Sequence, residues 1–253
     1  MTCENANIQL GGTARTPQHV VCLHRLGLQF AEVPIKDPSL FTEQIEGFLA
    51  VQKETGLRYL CHGPREGDPN YLHALETVYF PKLVGVMELM SRLNMSQLNV
   101  HLWLDPRFVK KQSVRYKIDF LRRLIARGER SGITVCLENL SESAAHLAEV
   151  FAALPALKMT LDLGHAQLLS EENTSYGFFE KFPQRIRHIH LHDNRGGDSQ
   201  EDDLHLPVGE GTIDFVSIFR ALHKTSYRGT ITLELRPDEI ERCLDYVKRL
   251  LRS

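Results

Sequence analysis

Apolar runs of strand length alternate along this chain with longer amphipathic stretches. The strand-like runs are a weak one near Ile8–Leu10, then Leu28–Ile35, Leu57–His62, Leu98–Leu102, Ile133–Glu138, Lys158–Asp162, Ile186–His192 and Thr230–Leu235. Helical patterning fills Pro38–Lys53, Tyr71–Leu93, Lys110–Arg130, Ser143–Leu154, Phe215–His223 and Asp238–Leu251. Regular β/α alternation predicts parallel strands joined by crossover helices. Roughly eight such units predict an α/β fold, a single (β/α)8 TIM barrel spanning residues 1–253 as one domain. An open doubly wound sheet is the structural alternative. It is disfavoured because no G-x-G-x-x-G or phosphate loop follows any strand.

Side-chain parity sharpens the prediction. Successive residues of a strand point to opposite faces. Leu98, Val100 and Leu102 oppose Asn99 and His101, and Val135 and Leu137 oppose Cys136 and Glu138. Leu161 and Leu163 oppose Asp162, Ile189 and Leu191 oppose His190, and Leu233 and Leu235 oppose Thr232, Glu234 and Arg236. The apolar face is expected to meet the helices. That leaves His101, Glu138, Asp162, His190 and Glu234 facing the barrel axis near the C-terminal strand ends, where barrels of this type build their active sites. The third strand is less clean, because His62 shares its face with Leu60 and Arg58. His165, Asp203 and His205 lie beyond strand ends, where parity has no hold.

Composition adds bounds rather than direction. The 253 residues are 42% hydrophobic and 25% charged with a net charge of −2. That is an ordinary globular composition with no global positive field toward nucleic acid. The five cysteines, Cys3, Cys22, Cys61, Cys136 and Cys243, are scattered and form no C-x-x-C pair. Reduced thiols and a cytoplasmic location are the expectation. Met1–Gly12 has no signal-peptide pattern, and no apolar run reaches the ~20 residues needed to span a bilayer.

The candidate chemistry is a set of nine groups: His62, His101, Glu138, Asp162, His165, His190, Asp203, His205 and Glu234. Imidazole and carboxylate together suit divalent cations such as Zn, Mn, Fe or Mg, and nine groups allow one to three ions. His19, His24, His73, His146, His188 and His223 read instead as structural histidines. Glu138 and Glu234, from the fifth and eighth strands, are placed to act as an acid/base pair. Substrate contacts are expected from Glu32, Trp103, His192, Arg195 and Arg236. Glu32 has a rim salt bridge as its alternative role. His192 could instead orient a ligand, and Trp103 could cap the core. Arg107, Lys110, Lys111 and Arg115 could hold a phosphate. The continuation of basic residues through Lys117, Arg122, Arg123, Arg127 and Arg130 favours a solvated helix face. Gly209-Glu210-Gly211 reads as a turn, with Thr212 or Asp214 capping the next helix.

In Leu-Cys-His62-Gly-Pro, Leu-Asp162-Leu-Gly-His165-Ala, His188-Ile-His190-Leu-His-Asp-Asn, Asp203-Leu-His205-Leu-Pro-Val-Gly-Glu-Gly and Glu234 the chain resembles a known superfamily. It joins xylose isomerase-like sugar isomerases and epimerases with endonuclease IV, of the AP endonuclease family. The resemblance implies one of two chemistries. In the epimerase-like pattern Glu138, Asp162, His190 and Glu234 hold one ion, His165 stands nearby for substrate, and the two glutamates move protons on a small sugar or sugar phosphate. In the endonuclease IV-like pattern three zinc ions use all nine positions to hydrolyse a phosphodiester of abasic DNA or a smaller phosphoester. The rest of the sequence favours the first. The loop Gly63-Pro-Arg-Glu-Gly-Asp-Pro is not basic, and no aromatic-basic wedge follows the first strand. Nucleic acid is thus a partner only under the second pattern, and neither pattern involves a membrane. Oligomeric state stays open.

Overall fold

A computed structural model describes residues 8–252. Cys3 and most of the Met1–Gly12 segment considered above lie outside the described residues. Eight parallel strands close into one barrel in chain order: β1 (Gln9–Thr13), β2 (Phe30–Pro34), β3 (Arg58–His62), β4 (Gln97–His101), β5 (Thr134–Glu138), β6 (Lys158–Asp162), β7 (Ile186–Leu191) and β8 (Thr230–Leu233). β8 pairs with β1 to complete the ring. The α-helices are α1 (Pro17–Arg25), α2 (Pro38–Thr42), α3 (Ile45–Thr55), α4 (Leu72–Ala74), α5 (Phe80–Arg92), α6 (Lys111–Arg130), α7 (Ala148–Ala153), α8 (Ser175–Lys181), α9 (Phe215–Lys224) and α10 (Pro237–Leu250).

Two helices, α1 and α8, are absent from the pattern reading. α1 carries its start signal in Thr16-Pro17: the Thr16 hydroxyl accepts from the His19 N–H at 3.3 Å, and proline occupies the first turn. The expected continuous helix over Tyr71–Leu93 is interrupted by a π-helical turn at Leu75–Tyr79. Asp214, one of the two expected caps, accepts from the Ser217 N–H at 3.0 Å.

Parity divides the strand residues into two shells. Ala31, Val33, Val100, Leu137, Leu161 and Leu191 belong to one continuous apolar core with the helices. Phe30 and Leu60 are equally buried but stand apart from that core. The Phe30 ring meets the His188 ring edge-on, with centroids 6.1 Å apart, so it fills the barrel interior. Leu60 shares this face with Phe30's neighbour Glu32, its register partner. The mixed character of the third strand is therefore a packing requirement: an apolar plug lies beneath a polar floor. Gly11 makes room for the plug, since a Cβ there would overlap the Phe30 ring. Register then sets the polar groups level with one another, His101 beside Glu138 and Asp162 beside His190. No helix among the described residues is long and apolar enough to cross a membrane.

Candidate metal centre and active site

Glu138, Asp162 and His190 end β5, β6 and approach the end of β7, and Glu234 follows β8 directly. One ligand atom from each of the four lies within 4.8 Å of the others. Glu138 Oε1 and Glu234 Oε1 stand 3.3 and 3.4 Å from His190 Nδ1, and Asp162 Oδ2 stands 3.7 Å from it. Glu138 Oε2 is occupied, accepting from Asn99 Nδ2 and from His101 Nε2 at 2.9 Å. By contrast Glu138 Oε1, Asp162 Oδ2 and His190 Nδ1 are buried without a hydrogen-bond partner. Buried polar atoms are nearly always satisfied, so three orphans facing each other call for a missing cation.

The charge balance agrees. Burial works against the Glu138 carboxylate, yet His101 and His190 hold its pKa well below the ordinary value. Burial likewise opposes ionised Asp162, and His165 and His192 outweigh it. Burial opposes charging His190 and His165 too. The carboxylates around them nevertheless hold both pKa values well above normal. This field demands positive charge at the centre of the cluster, and a divalent cation between the carboxylates would supply it. Glu138, Asp162, His190 and Glu234 therefore fit such an ion.

The imidazoles are oriented from behind. His62 Nδ1 donates to the Gly63 carbonyl at 2.9 Å, His165 Nδ1 to the Asn139 carbonyl at 3.1 Å, and His205 Nδ1 to the Glu234 carbonyl at 3.2 Å. In the neutral imidazole that a metal ion requires, each such bond selects the tautomer with its Nε2 lone pair toward the cluster, the usual support for a metal-binding imidazole. His190 is turned the other way. Its Nε2 donates to Glu32 at 3.1 Å, which frees Nδ1 for the cluster. Glu32 is buried, and it also accepts from His188 Nε2 at 2.9 Å. Burial disfavours its charge, but His190 and His188 hold its pKa well down. It is neither a rim salt bridge nor a cavity-lining group.

Further groups adjoin the first, among them His62 with His101 and Glu138, His62 with His190 and Glu234, and His165 with His192, Asp203 and His205. Asp203 Oδ2 lies 3.4 Å from His165 Nε2 and 3.3 Å from His205 Nε2. Its loop is pinned to the barrel by a short antiparallel bridge, in which the Asp193 and Leu206 amides and carbonyls exchange bonds of 2.8 and 2.7 Å. The buried Asp193 carboxylate accepts from the Gly209 and Gly211 N–H groups at 2.9 Å each. His205 takes a left-handed backbone with φ of 46°, a conformation that this framework holds against its intrinsic cost. His192 stacks on His205 at 3.8 Å between centroids, and its Nε2 lies 3.2 Å from Asp162 Oδ1. Gly164 is what admits His192, because a Cβ there would overlap the imidazole. The glycine of Asp162-Leu-Gly-His165 is thus a packing residue for the site.

The structure brings all nine candidate ligands to one end of the barrel. It separates the expected substrate residues. Trp103 stacks on Phe108 at 4.7 Å, donates Nε1–H to Ser141 at 2.7 Å and lines a cavity of about 440 Å³. Arg236 is turned onto its own helix, 2.9 Å from Glu239 and 3.6 Å from Asp238, and does not line either cavity at the mouth. β8 ends at Leu233, so strand parity does not carry as far as Arg236. Arg195 is exposed and lines neither cavity, and His192 lies buried beneath them. Lys117 departs from the solvated face expected of α6. It is fully buried, 2.8 Å from Glu66 and 2.6 Å from the Trp103 carbonyl. Arg107 is committed to Asp105, at 2.6 Å, and to the Ser141 carbonyl. Sequence reasoning missed Asn139, whose amide brackets the Asp162 backbone with bonds of 3.0 and 2.8 Å, and Asp193. Each directly follows a candidate site residue in sequence, Glu138 and His192, which is the available signal.

Above the cluster opens the main cavity, about 630 Å³, whose lining includes His62, His101, His165, His205 and Glu234. Among curated proteins the chain is 33% identical over 130 residues to an uncharacterized protein of Methanocaldococcus jannaschii, MJ1614, covering 49% of each chain. It spans about half the length of that relative. Among solved structures it superposes on a D-tagatose 3-epimerase-like protein with a TM-score of 0.82 at 19% identity, over 96% of this chain and 97% of the other. It superposes on the IOLI protein, whose crystal structure holds a zinc atom, with a TM-score of 0.77 at 12% identity, over 96% and 98% of the two chains. The family model for the xylose isomerase-like TIM barrel matches residues 22–250, and the chain belongs to that family.

Proposed function

We propose that this protein is a divalent-metal-dependent isomerase or epimerase of a small sugar or sugar phosphate, with Glu138 and Glu234 as the proton-transfer pair. The observation that carries this reading is the convergence of the two glutamates from opposite parts of the barrel on His190 Nδ1, at 3.3 and 3.4 Å. Glu138, Asp162, His190 and Glu234 would hold the ion. When bound, it supplies Lewis-acid polarisation of a substrate carbonyl and its neighbouring hydroxyl, which acidifies the C–H between them. One glutamate oxygen takes that proton, and the other returns a proton to the opposite face of the same carbon or to its neighbour. Glu234, which lines the cavity, meets the substrate first, while Glu138 is held by Asn99 and His101. His165 and His205, also on the cavity wall, orient substrate hydroxyls. The fold shared with a D-tagatose 3-epimerase-like protein supports the reaction class, and the zinc of the IOLI protein supports the cofactor class.

The test is solvent exchange. Chain loaded with Mn²⁺ or Zn²⁺ is incubated in D2O with free and phosphorylated ketoses and followed by NMR. Deuterium is expected at the carbon beside the carbonyl, and Glu138→Gln is expected to stop its entry. No exchange with any ketose or aldose would remove this reading.

A second reading rests on a separate observation: the nine donors, with His192, fall into several overlapping groups of metal-ligand spacing, and His62, Glu138, His190 and Glu234 each belong to more than one. This favours a multinuclear phosphodiesterase of the endonuclease IV type. It requires two or three metal equivalents per chain by elemental analysis, together with cleavage of an abasic duplex or a smaller phosphoester. A single retained ion and no cleavage would eliminate it.

A further inference from the structure

The wall of the main cavity has two chemically different arcs. At the ends of β3 and β4 and after β6 to β8 it carries His62, His101, His165, His205 and Glu234. After β1, β2 and β3 it carries Arg15, Lys36, Arg65 and Lys82. Arg15 follows β1 by two residues, Lys36 follows β2 by two, and Arg65 follows β3 by three. These strands are consecutive in the barrel, so their loops are neighbours around the mouth. Lys82 is held by Asp37 at 3.3 Å. Among the described residues Arg15, Lys36 and Arg65 have no ion pair or side-chain hydrogen bond to any protein group. The loop after His62 reads as electrically mixed in sequence, but the structure separates its charges. Glu66 is buried against Lys117, and Arg65 is left on the cavity wall. In a chain with a net charge of −2, this positive arc is local rather than a by-product of overall basicity.

We propose that Arg15, Lys36 and Arg65 form a recognition subsite for a phosphomonoester, so that the substrate is a phosphorylated sugar rather than a free one. This rests on the isomerase reading above and narrows its substrate class. Two guanidinium forks and one ammonium match the oxygens of a single terminal phosphate through charge-assisted bonds. The arc lies in the same cavity as Glu234, so one small molecule can present its phosphate to the arc and its carbonyl end to the glutamates. A nucleic-acid backbone would need cations spread over several phosphates. Two further arginines near the mouth, Arg107 and Arg236, are paired internally.

The test uses the metal-loaded full chain and two probes, xylitol and xylitol 5-phosphate, titrated calorimetrically. Xylitol 5-phosphate is expected to bind at least tenfold more tightly than xylitol. The triple variant R15Q/K36Q/R65Q is expected to lose at least tenfold in affinity for the phosphate, with metal content, thermal midpoint and xylitol affinity unchanged. Equal binding of the two probes by the parent, binding of neither, or full retention of phosphate affinity by the variant would each overturn the subsite. Salt-sensitive binding of a short abasic duplex that the triple variant loses would assign the arc to a nucleic-acid backbone and overturn the small-substrate form. Deuterium exchange on phosphorylated ketoses that survives undiminished in the triple variant removes the subsite and leaves the isomerase reading standing. Phosphate-dependent binding without any exchange does the reverse.

Discussion

The Lys117–Glu66 pair and the cluster of Glu138, Asp162 and His190 both bury ionisable groups, but only in the first does every carboxylate oxygen meet a donor of the chain within 2.8 Å. Lys117 Nζ reaches Glu66 at 2.8 Å and the Trp103 carbonyl at 2.6 Å, and Glu66 Oε1 in turn accepts from the Trp103 N–H at 2.5 Å. Burial pushes the Lys117 pKa down and the Glu66 pKa up, and each partner opposes the shift of the other. The pair is a strut that fixes the β3 loop against α6. The cluster instead leaves Glu138 Oε1, Asp162 Oδ2 and His190 Nδ1 facing one another unpaired. A fold keeps such a charge deficit only where a ligand removes it. The strut therefore stabilises the chain by itself, whereas the cluster would do so only with an ion between its carboxylates.

The largest effect that distinguishes them concerns Glu138. Glu138→Gln is expected to lower turnover about 10³-fold, within the usual range for a proton-transfer group, and to reduce bound metal. Elemental analysis and solvent exchange read the two effects separately. In the parent, chelation is expected to cost about 4 kcal/mol relative to a free-ion concentration a thousandfold above Kd, measured by denaturant unfolding with and without chelator. Lys117→Met should act oppositely. It leaves Glu66 buried and unpaired, costing about 3–5 kcal/mol of stability, while metal content per folded chain stays the same. A metal-dependent loss in the Lys117 variant, or no chelator effect in the parent, would erase the distinction.

The same contrast explains what the sequence disclosed. Strand and helix periodicity is a property of contiguous residues, so the barrel was legible from alternation alone. Parity worked for His101, Glu138, Asp162 and His190 because each lies inside a strand. It failed for Arg236, which lies past the end of β8 and belongs to the capping box of α10. Lys117 was misjudged because charges repeat along α6, and nothing local reveals that Glu66 waits on the buried side. Asn139 and Asp193 act on backbone groups, a role whose one sequence signal is adjacency to Glu138 and His192. The cations Arg15, Lys36 and Arg65 are isolated in three separate loops, and only closure of the barrel assembles them into one arc.

Glu32 tests whether the cluster also depends on its supporting shell. With Nε2 of His190 donating to Glu32, Nδ1 is left free for the ion. Glu32→Gln presents an amide that can donate as well as accept, so the tautomer is no longer fixed. Metal affinity is expected to fall about 10–100-fold, the usual cost of losing such a partner. Titration with a competing chelator measures this directly. His188 loses the same anchor, so circular dichroism should accompany the titration. An unchanged affinity would mean that packing alone orients His190.

The smallest effect is expected where charges pair in the open. Glu76 on the π-helical turn accepts from Arg123 of α6 at 2.8 and 2.7 Å, and Tyr116 also donates to it. Hydrogen bonds from Arg123 and then Tyr116 pull its pKa down to about 2. Its folded value is depressed, so the stabilisation is fully present above the unfolded value of about 4.3 and is lost as the pH falls toward 2. The side chains are 44% and 38% exposed, so solvent screening reduces the worth of the pair far below what the shift alone suggests. Glu76→Gln should therefore cost no more than about 1 kcal/mol at neutral pH, against several for Lys117→Met. Denaturant unfolding of parent and variant at pH 7, 4 and 3 should show the difference narrowing as Glu76 becomes protonated. A gap as wide at pH 3 as at pH 7 would show that the contribution is packing rather than charge. A neutral-pH loss equal to that of Lys117→Met would show that burial is not what separates the complete pair from the exposed one.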